Sequence, residues 1–173
     1  MTLSLYICKI VPEETVLNRT NNSRGGSITY NSTKILAGGQ KMKRLYEEQF
    51  EEICQKYQIT QNEADILAFL ANNPDYDTAR DIVEIRMITK SYISKSVENL
   101  IKKGFLVRTL DKHDRRIIHL HLTDKSNPII ADARIKQKEY VKILFTGMTV
   151  DEIETFESLL TRIIDNANMA YNK

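Results

Sequence analysis

Residues 89–104 read TKSYISKSVENLIKKG. At helical spacing Ile93, Val97, Leu100 and Ile101 fall on one side, the apolar stripe of a helix resting on a core. Lys90, Ser91, Tyr92, Ser94 and Lys95 fall on the opposite side of the first two turns, with no carboxylate before Glu98. Thr89 reads as the N-cap, and Ile88 and Ile93 as a hydrophobic staple across it. Lys102 and Lys103 suit the negative end of the helix dipole, and Gly104 suits a helix terminator. An exposed N-terminal half offering Lys, Ser and Tyr fits phosphates and base edges in a DNA major groove. The plainer reading is an amphipathic helix with a solvated face.

Working backwards, the spacing predicts a short helix from Thr78 with Ile82, Val83 and Ile85 turned inward. Residues 86–88 then turn the chain into the helix above, a helix-turn-helix pattern. Met87 stands in that turn, where Gly would be easier if φ must be positive. Thr60 and Glu63 form a capping box for a helix that buries Ala64, Leu67, Ala68, Leu70 and Ala71 and stops at Asn72-Asn73-Pro74. Before it, Leu45, Tyr46, Gln49, Phe50, Ile53, Cys54 and Tyr57 make a one-sided helical stripe starting at Met42.

Working forwards, the period changes after Gly104. Residues 105–110, FLVRTL, and 117–122, IIHLHL, read as strands around the charged turn DKHDRR at 111–116. A two-stranded hairpin with a basic tip directly after a helix-turn-helix is a wing. Thr123 opens a long helix, broken or bent near Pro128, that carries Ile130, Ile135, Val141, Leu144 and Phe145 and ends at Gly147. Thr149 and Glu152 make a second capping box, and Ile153, Phe156, Leu159, Leu160, Ile163 and Ile164 stripe a last helix. That is more apolar surface than a small winged lobe needs. The excess reads as a dimer interface, against the alternative of a larger monomeric core.

The composition is that of a mainly α, soluble chain: 173 residues, 42% hydrophobic, 28% charged, with three Pro and six Gly. Net charge is +2, but residues 78–125 hold eleven Lys/Arg against six Asp/Glu, a surplus of +5 that leaves −3 for the remainder. A basic segment in a nearly neutral protein is a local footprint for a polyanion. Cys8 and Cys54 suggest no disulfide framework. No run approaches a membrane span, and the apolar residues 3–11 lack a preceding basic region, so the reading is cytoplasmic.

Residues 1–41 differ from the rest of the chain. A strand-like TLSLYICKIV leads into the polar NRTNNSRGGSITYNST, which has little to bury. The N-x-S/T triplets at Asn18, Asn21 and Asn31 are acceptors only in a secretory compartment. The codons of Ala37-Gly38-Gly39 can spell AGGAGG shortly before Met42, so this stretch reads as a translated ribosome-binding site with the natural start at Met42. The alternative is a disordered basic arm.

Residues 59–164 resemble the MarR family of bacterial winged-helix transcription regulators. SYISKSVENLIKKGFLVR, DKHDRR at the wing tip and HLHLTDKS carry the likeness, with Ser126 where the family's "LT-x-x-G" ending has Gly. The resemblance implies a winged helix-turn-helix at 59–125, with 42–58 and 126–173 as the α-helical dimerisation region. It implies a symmetric homodimer on pseudo-palindromic double-stranded DNA operators, released when a small-molecule effector or an oxidant reaches the protein. Dimer symmetry then sets the two helices about one turn of DNA apart. Ser91, Tyr92, Ser94 and Lys95 are the candidates for base edges and nearby phosphates, and Lys90 for the backbone. Arg116 matches the family's wing Arg for the minor groove, with Arg115 as its neighbour. Asp114 matches the acid that braces this Arg. Turn formation explains Asp111 and Asp114 equally.

Cys54, late in its helix and on the apolar stripe, reads as structural rather than as a redox sensor. His119 and His121 share a strand face, but no Cys or carboxylate cluster completes a metal site. With no phosphate loop, nucleophile elbow or paired carboxylates, an enzyme is not indicated, and no cofactor is. The rival function is a winged-helix protein-interaction module without DNA binding.

Overall fold

Helix α1 (Ser32–Tyr57) starts ahead of the expected Met42. No proline interrupts residues 32–41, and extending a helix costs far less than nucleating one. The computed structural model describes residues 32–171. TLSLYICKIV, Cys8 and the residues Asn18, Asn21 and Asn31 therefore lie outside the described residues.

The described chain forms two compact units, one of residues 43–137 and one joining residues up to Met42 with Lys138 onward. The first is the lobe. Its helices are α2 (Gln61–Asn72), α3 (Ala79–Arg86) and α4 (Lys90–Lys102), followed by strands β1 (Leu106–Leu110) and β2 (Ile118–Leu122). The strands pair antiparallel with Leu106 opposite Leu122 and Leu110 opposite Ile118. Thr78 adds a single bridge to His119 on the other side of β2. A 3-10 turn (Asp124–Ser126) then leads into α5 (Asn127–Leu144). The expected break near Pro128 thus falls between the 3-10 turn and α5, and Pro128 lies in the first turn of α5, where its missing N–H costs nothing.

The Thr60–Glu63 box closes as its spacing requires, and Thr78 forms a further box with Asp81. Thr60 Oγ1 accepts from Glu63 N, Thr78 Oγ1 accepts from Asp81 N, and each acid returns the bond to its cap. The core gathers Ile66, Leu67, Ile82, Ile93, Leu100 and Leu106, none accessible to solvent. It also takes Phe50 and Ile53 from α1 and Ile129 and Ala133 from α5, so lobe packing extends past residues 59–125. Ile85, expected inward, is exposed. On the short α3 the inward positions are taken by Ile82, which is buried, and Val83, which packs against the core.

Met87 has φ 52 and ψ 38, the left-handed conformation that the turn before α4 demands. A non-Gly side chain there is strained, and Met87 is largely exposed with little packing to lose. Met87→Gly is expected to raise stability by roughly 0.5–1 kcal/mol. A higher urea midpoint at unchanged slope checks it; an unchanged or lower midpoint would mean that the thioether contributes more packing than its exposure indicates.

In the second unit Val141, Phe145 and Ile153 pack together, and Phe145 meets Phe156 edge-on at 5.7 Å. Gly147 takes φ +80 after α5, and the Thr149–Glu152 box opens α6 (Val150–Tyr171). Phe156, Leu159, Ile163 and Ile164 stay exposed along α6, an apolar stripe left largely uncovered by the described residues.

Candidate nucleic-acid interface

The helix-turn-helix is held by polar contacts that the sequence pattern did not reveal. The buried Asn62 side chain of α2 donates to Ser96 Oγ of α4 at 2.7 Å, which sets the rotation of α4 about its axis. Arg86, at the end of α3, reaches back to α2 and donates to Asp65 Oδ2 at 2.7 Å and to Asp65 O at 3.1 Å. Lys103 Nζ lies 2.7 Å from the almost fully buried Glu63 carboxylate. With this rotation Lys90, Ser91, Tyr92, Ser94 and Lys95 all face solvent, while Ile93, Ser96, Val97 and Leu100 are buried.

Thr89 is the N-cap of α4, but its side chain makes no capping hydrogen bond, contrary to expectation. Among the described residues, Lys90 and Lys95 form no ion pair. Glu98, the first carboxylate on α4, pairs with Arg108 of β1. The helix closes with a Schellman pattern: Phe105 N donates to Leu100 O and Gly104 N to Ile101 O, both at 2.9 Å, with Gly104 at φ +76. Thr123 Oγ1 caps the Gly104 carbonyl at 2.7 Å, tying the far end of the hairpin to the helix exit. Ser126, where the family pattern has Gly, is buried and donates to Thr123 O at 2.6 Å, so the site accepts a side chain.

At the wing tip Asp111 Oδ1 accepts from His113 N at 2.7 Å and Asp114 N at 2.8 Å, an aspartate-led turn. Those bonds hold the Asp111 carboxyl below its ordinary range. The turn delivers Asp114 to Arg116. Asp114 Oδ1 accepts from Arg116 Nε and Oδ2 from Nη2, each at 3.0 Å, and Oδ1 also takes the Arg116 backbone N–H. This fork fixes a guanidinium whose side chain is 91% exposed, and it depresses the Asp114 pKa. The two aspartates make the turn, and Asp114 also accepts the fork from Arg116. Arg115 is exposed beside it.

The histidines make other contacts. His119 Nδ1 lies 2.7 Å from Asp77 Oδ1 and its Nε2 3.3 Å from Asp111 Oδ2, while His121 pairs with Thr109 Oγ1 at 2.7 Å. Cys54 is partly buried, with Sγ 3.9 Å from Gln61 Oε1. Burial, then the charges of Asp65, Glu63 and Glu51, push its thiol pKa up, away from a reactive thiolate.

A helix-turn-helix followed at once by a hairpin, with cations on the second helix and at the hairpin tip, defines a winged-helix protein. The MarR family model matches residues 57–117, from the end of α1 through the wing tip. The HTH-type transcriptional regulator YwaE of Bacillus subtilis is 30% identical over 87 residues, 50% of this chain and 51% of that protein. The chain thus spans about half the length of that relative. The MarR protein from Peptoclostridium difficile superposes with a TM-score of 0.71 at 20% identity, covering 87% of this chain and 97% of its own. The MepR–DNA complex of S. aureus gives 0.64 at 19%, covering 80% and 99%. Over residues 57–117 the chain is thus similar to the MarR family, and the likeness to the solved structures extends to the fold.

Proposed function

We propose that this protein is a cytoplasmic, sequence-specific double-stranded DNA-binding transcriptional regulator, a homodimer that represses by occluding a promoter and is relieved by a small-molecule effector. The observation that carries the reading is the wing: Arg116 is held by a two-point fork to Asp114 yet almost wholly exposed. Holding an Arg rigid at a hairpin tip has a use when the guanidinium enters a narrow, electronegative groove. Ser91, Tyr92, Ser94 and Lys95 face the major groove, and Lys90 and Arg115 the backbone. MepR, which shares the fold, was crystallised on DNA. The exposed stripe of Phe156, Leu159, Ile163 and Ile164 fits burial against a second copy, with 42–58 and 126–173 as the dimerisation helices. No helix of the described residues is long and apolar enough to cross a membrane.

Gel shifts on promoter fragments beside the gene test the reading. One fragment is expected to bind tightly, with affinity falling steeply as salt rises because each neutralised phosphate releases counterions. Absent or salt-insensitive binding would favour the protein-interaction module instead. Tyr92, 53% exposed on α4, is expected to matter for discrimination. Tyr92→Ala should narrow the affinity ratio between operator and random duplex while leaving random-duplex binding nearly unchanged. Equal losses on both duplexes would reassign Tyr92 to backbone contact.

A further inference from the structure

His119 sits on β2 between two carboxylates from different parts of the chain. Asp77 belongs to the segment before α3, and Asp111 opens the turn directly after β1. Ionised carboxylates only accept hydrogen bonds, so both contacts exist together only when both ring nitrogens carry protons. The geometry is therefore that of an imidazolium. The neutral ring keeps one contact and loses the other.

The contact with Asp111 matters because of what that carboxylate does with its other oxygen. Asp111 Oδ2 faces His119, while Oδ1 takes the N–H groups of His113 and Asp114. Asp114 in turn holds the Arg116 guanidinium. A chain of charge-assisted contacts thus runs from Asp77 through His119 and Asp111 to the wing turn and Arg116. The backbone beside it reinforces the anchoring end, with Leu120 N donating to Asp77 O at 2.7 Å.

We propose that His119 is a positioning residue, whose cationic form clamps the base of the wing to the segment before α3 and so orders the turn that presents Arg116. The charged and titratable groups facing the ring are Asp77, Asp111 and, along the strand with ring centroids 6.4 Å apart, His121. The hydrogen bonds to Asp77 and then Asp111 raise the His119 pKa above its ordinary 6.5. The clamp is therefore complete below that raised pKa and loosens as pH climbs through it. The consequence for DNA rests on the function proposed above; the clamp itself does not.

The test uses the full chain, isotope-labelled, titrated by NMR without DNA. The His119 ring is expected to titrate above the ordinary histidine range, with the amides of His113, Asp114 and Arg116 shifting at the same midpoint. In His119→Gln those amides should no longer titrate with that midpoint. Asp111→Asn keeps the oxygen that takes the two amides and adds an N–H for the neutral ring, so its wing amides should hold their low-pH positions into alkaline solution. On a promoter fragment, wild-type affinity should fall about tenfold between about pH 6 and about pH 8.5. His119→Gln should be weak throughout, and Asp111→Asn should lose the fall. A His119 midpoint at or below the ordinary value, or wing amides moving at another midpoint, would overturn the clamp. Amides that follow His119 with no DNA bound at any pH would leave the clamp standing and overturn the DNA-binding function.

Discussion

Arg116→Ala is expected to weaken operator binding by about ten- to a hundredfold, the scale of one good base-edge contact. The side chain makes no contact with the core, being 91% exposed, so circular dichroism and the oligomeric state should not change. What disappears is a guanidinium already oriented before DNA arrives: its fork to Asp114 fixes the plane, and little freedom remains to be lost on binding. Two companion variants separate charge from geometry. Arg116→Lys keeps the charge but not the planar fork, so it should recover only part of the affinity. Asp114→Asn retains an acceptor while removing the charge that holds the fork, and its loss should be smaller than that of the alanine variant. Fluorescence anisotropy on one labelled duplex at one salt concentration ranks all three. Wild-type affinity in Arg116→Ala would take the wing out of the mechanism and leave α4 as the whole interface.

Phe50→Ala should cost about 3–5 kcal/mol of lobe stability, a large part of what a domain this size has. Phe50 is inaccessible to solvent, with its ring centroid 4.5 Å from that of Tyr46, and it lies among the lobe's core residues. Truncation removes the transfer energy of the ring and leaves a cavity that helices anchored by capping boxes and by the Asp65–Arg86 pair cannot easily close. Phe50→Leu, which refills most of the space, should recover much of the loss. Urea unfolding reads both. A cost below about 1 kcal/mol would mean that α1 contributes little to the lobe and that the core stops at α2.

Much of this was legible in the residues. The stripe of Ile93, Val97 and Leu100, the boxes at Thr60 and Thr149, the stop at Gly104 and the strands around DKHDRR all rest on interactions between neighbours in the chain. At Met87 the residues posed only the condition that Gly would be easier if φ were positive, and the folded turn meets that condition. Ile85 went wrong because a two-turn helix has no second period to say which apolar residue faces in. The early start of α1 escaped because composition marks disorder more readily than it marks the end of a helix.

Local spacing alone determined that the chain has a cationic helix, a hairpin with Asp114 two residues before Arg116, and the order in which they come. Only the folded lobe decided that Asn62 meets Ser96 across 34 positions, that Arg86 reaches Asp65, and that His119 lies between Asp77, 42 residues earlier, and Asp111, 8 residues earlier. Periodicity and capping report forces acting within a few residues. Which polar side chains become partners across the core depends on how the elements dock, and that information is spread over every apolar contact in the lobe.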